Sequence, residues 1–282
     1  MGLDNRFIRS ALMVNGFNEK HLSKLGILGA DIAIVNLEDG ISAEQKPIAL
    51  ERTVQAIEAL QTRNSLVVVR VNELGSPTVE AEIKRLNIAK PDAVRVPKIR
   101  TVDDVKMALE LIDEDIAVHL SIETAGALEN LSTFGFDKRV KVVYLGILDM
   151  LESLGLPQSL LTINNPTIDY ILAKFLVSAR SAGLYPVSFV YQDFKDESGF
   201  RTWCDKEKSM GFTAKGCISP AQVMIANEVF CIDEKEIEKA RYVVGRFEAM
   251  YAQGVSGFVD EKYGFIDEPI YKDALLVLRI TL

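Results

Sequence analysis

The chain is poor in the residues that build zinc centres and disulfide frameworks: of 282 residues, three are cysteine and two are histidine. Cys204, Cys217 and Cys231 are odd in number and widely spaced, form no CxxC pair, and have no metal-ligand spacing to His21 or His119. Reduced cysteines in a cytoplasm are what this usage implies. No apolar run approaches the roughly 20 residues of a membrane-spanning helix, which leaves no membrane partner. The opening Met1-Gly2-Leu3-Asp4-Asn5-Arg6 lacks the apolar core of a signal peptide. Met1-Gly2 begins like a myristoylation site, but Arg6 stands where serine or threonine is required. Positive charge is also short. Lys and Arg number 32 against 40 Asp and Glu, a net charge of −8, which excludes nucleic acid as a general partner. A local basic pocket for a small anion remains compatible with that balance.

What the chain does have is alternation. Strand-like apolar runs lie near 11–15, 31–37, 66–71, 92–96, 116–122, 141–145, 186–190 and 215–218. Amphipathic stretches at 18–28, 46–61, 77–88, 102–112, 125–133, 166–182, 199–210 and 220–229 fall between them. The runs are β-branched with little polar alternation, the pattern of strands covered on both faces of a parallel sheet. Eight strand–helix units predict an α/β fold, a (β/α)8 TIM barrel over 1–230, with an open doubly wound sheet as the alternative.

The remainder, 231–282, exceeds what eight units need. It predicts a C-terminal helical extension that packs on the barrel or on a neighbouring subunit. Asp233 with Glu236 marks a helix start. Ile237, Ala240, Val244, Phe247 and Tyr251 then form an apolar stripe that Gly254 ends. Residues 255–269 read as a loop with short extended pieces, and 270–280 as a last helix.

Several apolar runs stop on residues able to do chemistry, and in a parallel barrel all strand ends open on one face. Val67-Val68-Val69 ends at Arg70, the run 116–122 ends at Glu123, and Val142-Val143-Tyr144-Leu145 leads through Gly146 to Asp149. Ile32-Ala33-Ile34-Val35 reaches Glu38 and Asp39, and Ala93-Val94-Arg95-Val96 reaches Pro97-Lys98. Glu123 and Asp149 together suit Mg2+, which takes oxygen ligands and keeps several waters. Singly, each is equally a helix N-cap or an ion-pair partner. Arg70 can grip a carboxylate or carbonyl oxygen with two donors, or pair structurally with Glu38 or Asp39. Those two acids can orient metal-bound water, accept from a substrate hydroxyl, or cap the next turn. Lys98 reads as a structural or charge-neutralising lysine rather than a Schiff-base nucleophile. His119, inside an apolar run, reads as a barrel-wall histidine.

The motifs also come in order. Arg9-Ser10 with Val14 and Gly16 is followed by Gly29-Ala30-Asp31, Leu37-Glu38-Asp39, Lys46, Arg70-Val71-Asn72 and Val96-Pro97-Lys98. Then come Ile122-Glu123-Thr124, Gly146 with Asp149 and Leu154-Gly155, Gly211-Phe212, Lys215-Gly216, Ile218 with Pro220-Ala221-Gln222, and Asn227 with Phe230. Over residues 9–245 this order resembles the citrate lyase β-subunit-like (CitE-like) proteins of the HpcH/HpaI aldolase superfamily of CoA-ester lyases.

The resemblance implies a TIM barrel assembled as a homo-oligomer, a trimer or hexamer. It implies Mg2+ held by Glu123 and Asp149, substrate contacts from Arg70 and Arg9, and catalytic parts for Arg70, Glu38 and Asp39. The implied reaction cleaves, or forms, a carboxylated 3-hydroxyacyl-CoA such as citryl-, malyl- or citramalyl-CoA, so the small-molecule partners are a 2-oxo acid and an acyl-CoA. In CoA-using relatives a C-terminal segment closes over a neighbouring subunit's site and supplies an acid. Gly264-Phe265-Ile266-Asp267-Glu268-Pro269 looks like that segment, and Asp267 is its candidate acid. The chain departs from the family pattern at Asn15, Asn36, Leu50, Ile99-Arg100-Thr101 and Ser219, where proline, aspartate, arginine, Val-Glu-Ser and histidine are usual. Two other readings stand beside the lyase. One is a CoA-independent aldolase on pyruvate or oxaloacetate adducts, and the other a degenerate metabolite-binding subunit.

Overall fold

Aliphatic runs that can bury both faces become the staves of a barrel. The structure, a computed structural model, describes residues 7–61 and 64–281, with side chains described to 278; the N-terminal hexapeptide discussed above lies outside the described residues. The strands are β1 (Ser10–Asn15), β2 (Ile32–Asn36), β3 (Leu66–Arg70), β4 (Ala93–Val96), β5 (Ala117–Ile122), β6 (Val140–Leu145), β7 (Tyr185–Val187) and β8 (Lys215–Cys217). They form one parallel sheet in the order β7-β6-β5-β4-β3-β2-β1-β8. Ser188, just past β7, bridges Lys215 of β8 and closes the ring. Its N–H donates to the Ala214 carbonyl at 2.9 Å, and its carbonyl accepts from Gly216 at 2.9 Å. The eight expected strands are therefore present, and the sheet is a TIM-type barrel rather than an open sheet.

The crossovers carry α1 (Glu19–Leu22), α2 (Lys46–Glu58), α3 (Val79–Ala89), α4 (Val102–Leu111), α5 (Ala125–Asn130), α6 (Ile147–Ser153), α7 (Pro166–Ser181), α8 (Glu197–Met210) and α9 (Pro220–Val229). Helix α6 was not expected from the sequence. It has only 7 residues, too few to display a helical period, but it buries Ile147, Met150 and Leu151. No helix of the described residues is long and apolar enough to cross a membrane.

Alternation along each strand sorts side chains between two environments. Val67 and Val69, Val94 and Val96, Val118, Leu120 and Ile122, and Val143 and Leu145 join the helices in one continuous core. Their neighbours Val68, Arg70, Arg95, His119, Ser121 and Tyr144 are buried on the other face, inside the barrel. One irregularity keeps this parity. Between β5 and β6 the pairing steps from Val118↔Val140 to His119↔Val142, so Lys141 is an extra residue, a β-bulge. Without it Val140 and Tyr144 would share a face. With it Tyr144 points into the barrel. On β8, Lys215 makes a fully buried ion pair with Glu207 of α8, Nζ to Oε1 at 2.6 Å, with Nζ 3.8 Å from the Phe189 ring centre.

Chain contacts divide at the end of α9, with Ile8–Phe230 as one compact unit and residues from Cys231 onward belonging to a second. The second holds α10 (Glu234–Tyr251), β9 (Gly257–Asp260), β10 (Gly264–Asp267) and α11 (Glu268–Thr281). The Asp233 side chain caps α10, accepting from the Lys235 N–H at 3.0 Å, while its main-chain carbonyl accepts from the Glu236 N–H at 2.9 Å. Ala240, Val243, Phe247, Ile266 and Ala274 form this unit's own small core. Phe247 stacks on Tyr271 at 4.5 Å. The short extended pieces expected in 255–269 pair as an antiparallel hairpin, Phe265 opposite Val259.

Candidate active site

At the C-terminal end of the barrel strands a cavity of about 240 Å3 opens, lined by residues from all eight strand ends. They include Met13 of β1, Asn36, Asp39, Arg70, Arg95, Glu123, Gly146, Asp149, Gln192 and Ile218. Arg70 is its centre of charge, 7% exposed. Its Nη2 makes an ion pair with Glu38 and lies 3.3 Å from both Asp39 Oδ2 and Glu123 Oε1. Asp39 lines the cavity, whereas Glu38 is buried beside Arg70. Burial pushes the Glu38 carboxyl up to about 7; the Arg70 charge opposes that rise, and Asp39 and Glu123 add to it.

Local backbone geometry aims these groups. Lys98 adopts φ 52°, a left-handed conformation that costs a non-glycine residue about 1 kcal/mol or more. That turn sends its main-chain N–H to Glu123 Oε2 at 3.2 Å. Its Nζ lies 3.8 Å from Glu38 and 3.9 Å from Glu73. Lys98 thus places charge and a donor, in keeping with a structural lysine. Asn36 donates to the Asp39 carbonyl at 2.6 Å and accepts from the Glu38 N–H at 3.3 Å, which fixes the β2 exit. Asn72 ties that exit to the end of β3, donating to the Leu37 carbonyl at 3.2 Å, accepting from Lys46, and holding Glu82. Gly146 is required for space: a Cβ there would lie 2.5 Å from Glu123 Cγ.

Glu123 and Asp149 both reach the cavity, Glu123 buried and Asp149 exposed in the first turn of α6. Among the described residues no cluster of three or more His, Cys, Asp or Glu forms a protein-only cage. Two carboxylates with room for water are instead the donor set that Mg2+ takes, since it keeps several waters. The residues fit that ion.

The structure does not bring Arg9 here. Arg9 precedes β1, at the barrel end opposite the cavity, and its side chain pairs with Asp31 at 3.0 and 3.1 Å. Asp267 belongs to the C-terminal unit, where its carboxylate accepts from the Ile270 N–H at 3.2 Å at the start of α11. Conversely, Arg95 was not singled out by sequence and lines the cavity. Its Nε donates to Ser121 at 2.8 Å, and its guanidinium sits 4.1 Å from the Tyr144 ring centre. Tyr144 in turn meets His119 Nδ1 at 2.9 Å. The signal was an arginine interrupting the apolar run Ala93-Val94-Arg95-Val96. Gln192 had no signal, because it follows β7 in a loop without a recognisable pattern.

A closed parallel barrel whose strand ends gather paired carboxylates and guanidinium groups on one face is the architecture of a TIM-barrel enzyme. Comparison with known proteins makes the class specific. The family model described as HpcH/HpaI aldolase/citrate lyase matches residues 9–220, and the chain belongs to that family of carbon–carbon lyases. It is 32% identical over 250 residues to a (3S)-malyl-CoA thioesterase of Cereibacter sphaeroides, covering 88% of this chain and 86% of that protein. It is 26% identical over 288 residues to citrate lyase subunit beta of Leuconostoc mesenteroides subsp. cremoris, covering 99% and 94%. The fold superposes with a TM-score of 0.75, at 21% identity and 97% coverage of both chains, on the CitE protein of Mycobacterium tuberculosis solved in complex with magnesium, acetoacetate and coenzyme A.

Proposed function

We propose that this protein is a Mg2+-dependent lyase that cleaves, or forms, the carbon–carbon bond of a carboxylated 3-hydroxyacyl-CoA, giving a 2-oxo acid and an acyl-CoA. The observation that carries the reading is the convergence of Glu123, Asp149 and Arg70 on one cavity. A volume of about 240 Å3 is below the roughly 300–1,000 Å3 of pockets for drug-sized ligands. It suits the small acid end of a substrate, with any nucleotide portion outside.

Glu123 and Asp149 would hold Mg2+, which when bound supplies Lewis acidity toward the oxygen that becomes the keto group. Arg70 grips the adjacent carboxylate in the plane of its guanidinium and is kept in place by Glu38. Asp39, the member of the acidic pair that lines the cavity, takes the proton of the substrate hydroxyl. The oxygen's electrons then form the carbonyl as the carbon–carbon bond breaks, leaving a thioester enolate. That carbon is protonated by an acid, for which Asp267 of a neighbouring subunit is our candidate.

The thioesterase relative favours a second reading, in which water cleaves the thioester of malyl-CoA. One assay separates the two. The purified chain is incubated with malyl-, citramalyl- and citryl-CoA, with Mg2+ or with EDTA, while 2-oxo acid and free CoA thiol are followed together. A lyase releases oxo acid without thiol, and only with Mg2+. Thiol without oxo acid would establish the hydrolase instead, and no turnover of any of the three sinks both.

A further inference from the structure

Two arginines line the cavity on adjacent strands, Arg70 of β3 beside Arg95 of β4, and their surroundings differ. Arg70 has Glu38, Asp39 and Glu123 around it. Arg95, only 6% exposed, has no carboxylate within 4.0 Å among the described residues. Among the described residues its guanidinium makes one hydrogen bond, from Nε to the neutral Ser121 hydroxyl at 2.8 Å. The Tyr144 ring supports one face of the guanidinium at 4.1 Å. The terminal nitrogens therefore keep their donors available in a cavity that already holds the catalytic candidates. A guanidinium taken out of water without a counter-charge is costly unless a ligand supplies one. Arginine does not escape that cost by deprotonating at neutral pH: burial and the neighbouring Arg70 charge lower it only to about 10.

We infer that Arg95 is a specificity-determining residue whose guanidinium receives a second carboxylate of the substrate, from the interior side of the cavity. The inference rests on the lyase reading and narrows it to acids with two carboxylates at the oxo-acid end. Arg70 and the metal carboxylates handle the carboxylate and oxygen at the reacting carbon. Arg95 holds the far carboxylate, its planar fork matching two oxygens while Tyr144 and Ser121 fix its orientation. The bulge at Lys141 belongs to the same device, since it turns Tyr144 inward beneath Arg95.

Oxaloacetate differs from pyruvate by one carboxylate, so the pair isolates the contact. Calorimetric titration of the full chain with Mg2+ is expected to show oxaloacetate binding at least tenfold tighter than pyruvate. In Arg95→Met that preference falls below threefold through weaker oxaloacetate binding, with pyruvate unchanged, and Arg95→Lys keeps part of it. A wild-type protein that binds the two acids equally overturns the proposal, and this measurement needs no variant to fold. An Arg95→Met protein with native circular dichroism that keeps the preference, or loses both acids alike, also overturns it. If the wild type binds neither acid, or binds both equally, the role of Arg95 is overturned, whereas the lyase reading stands or falls separately on turnover of the three CoA esters.

Discussion

Glu123 is held from two sides, by the Arg70 guanidinium at 3.3 Å and by the Lys98 N–H at 3.2 Å, and Gly146 leaves it the space to be there. Converting Glu123 to glutamine removes a negative charge that both donors and the metal would need. Glu123→Gln should abolish nearly all turnover and the rise in melting temperature on Mg2+ addition, while leaving the far-ultraviolet dichroism unchanged. The Cβ of Gly146→Ala meets Glu123 Cγ at 2.5 Å, so the carboxylate must shift. Misplacement of a group of this kind costs about 10–100-fold in activity or metal affinity, which steady-state kinetics across a Mg2+ titration would read. His119 makes stability depend on pH. Burial, with the Arg95 charge, lowers its pKa to about 3. The unfolded chain then binds the proton first as pH falls below the ordinary value near 6.5, so this contribution to stability is complete above that value and is lost progressively toward pH 3. Between pH 7 and pH 5 the loss is about 2 kcal/mol by linkage. Urea midpoints at the two pH values should show it, and His119→Leu should remove it.

At the scale of elements, the barrel closes through its shortest strands, and a buried charge pair stands at that seam. β7 and β8 have 3 residues each, and Lys215 of β8 meets Glu207 of α8 with neither side chain exposed. Removing one partner strands the other charge away from water, at about 3–5 kcal/mol. Lys215→Met should lower the urea midpoint accordingly, and pairing it with Glu207→Leu should recover most of the loss. If the single variant is neutral, the pair does not stabilise the seam. Such a pair is hard to foresee, because β8 contributes little more than Lys-Gly-Cys to a pattern search. The longer runs were different. Val67-Val68-Val69 and Ile32-Ala33-Ile34-Val35 announced buried strands, and their polar ends marked the rim where Arg70, Glu38 and Asp39 meet. Helix α6 escaped because a single turn or two shows no period, and the bulge at Lys141 because pairing register is a property of two strands rather than one. Arg95 was visible as a charge within an apolar run; its inward direction needed the barrel to close.

At the scale of the whole molecule, the Ile8–Phe230 unit and the unit from Cys231 onward have separate hydrophobic cores. The barrel core is built of strand and helix aliphatics, and the smaller one around Phe247, Ile266 and Ala274. The candidate acid Asp267 lies in the second unit and the proposed metal carboxylates Glu123 and Asp149 in the first. Our proposed chemistry therefore requires the two units to meet, and the proposal assigns that meeting to different subunits of an oligomer. In such an arrangement one complete site forms from two defective chains. Glu123→Gln destroys the metal position but leaves Asp267 intact, and Asp267→Asn does the reverse. Each homo-oligomer should be nearly inactive, whereas co-expressed mixtures should regain turnover far above either parent, since some sites join an intact barrel to an intact tail. A symmetric oligomer with one such contact per subunit permits this recovery. If Asp267 instead served the site of its own chain, every mixed assembly would stay inactive. If Asp267→Asn alone kept full activity, the enolate would be protonated by another group.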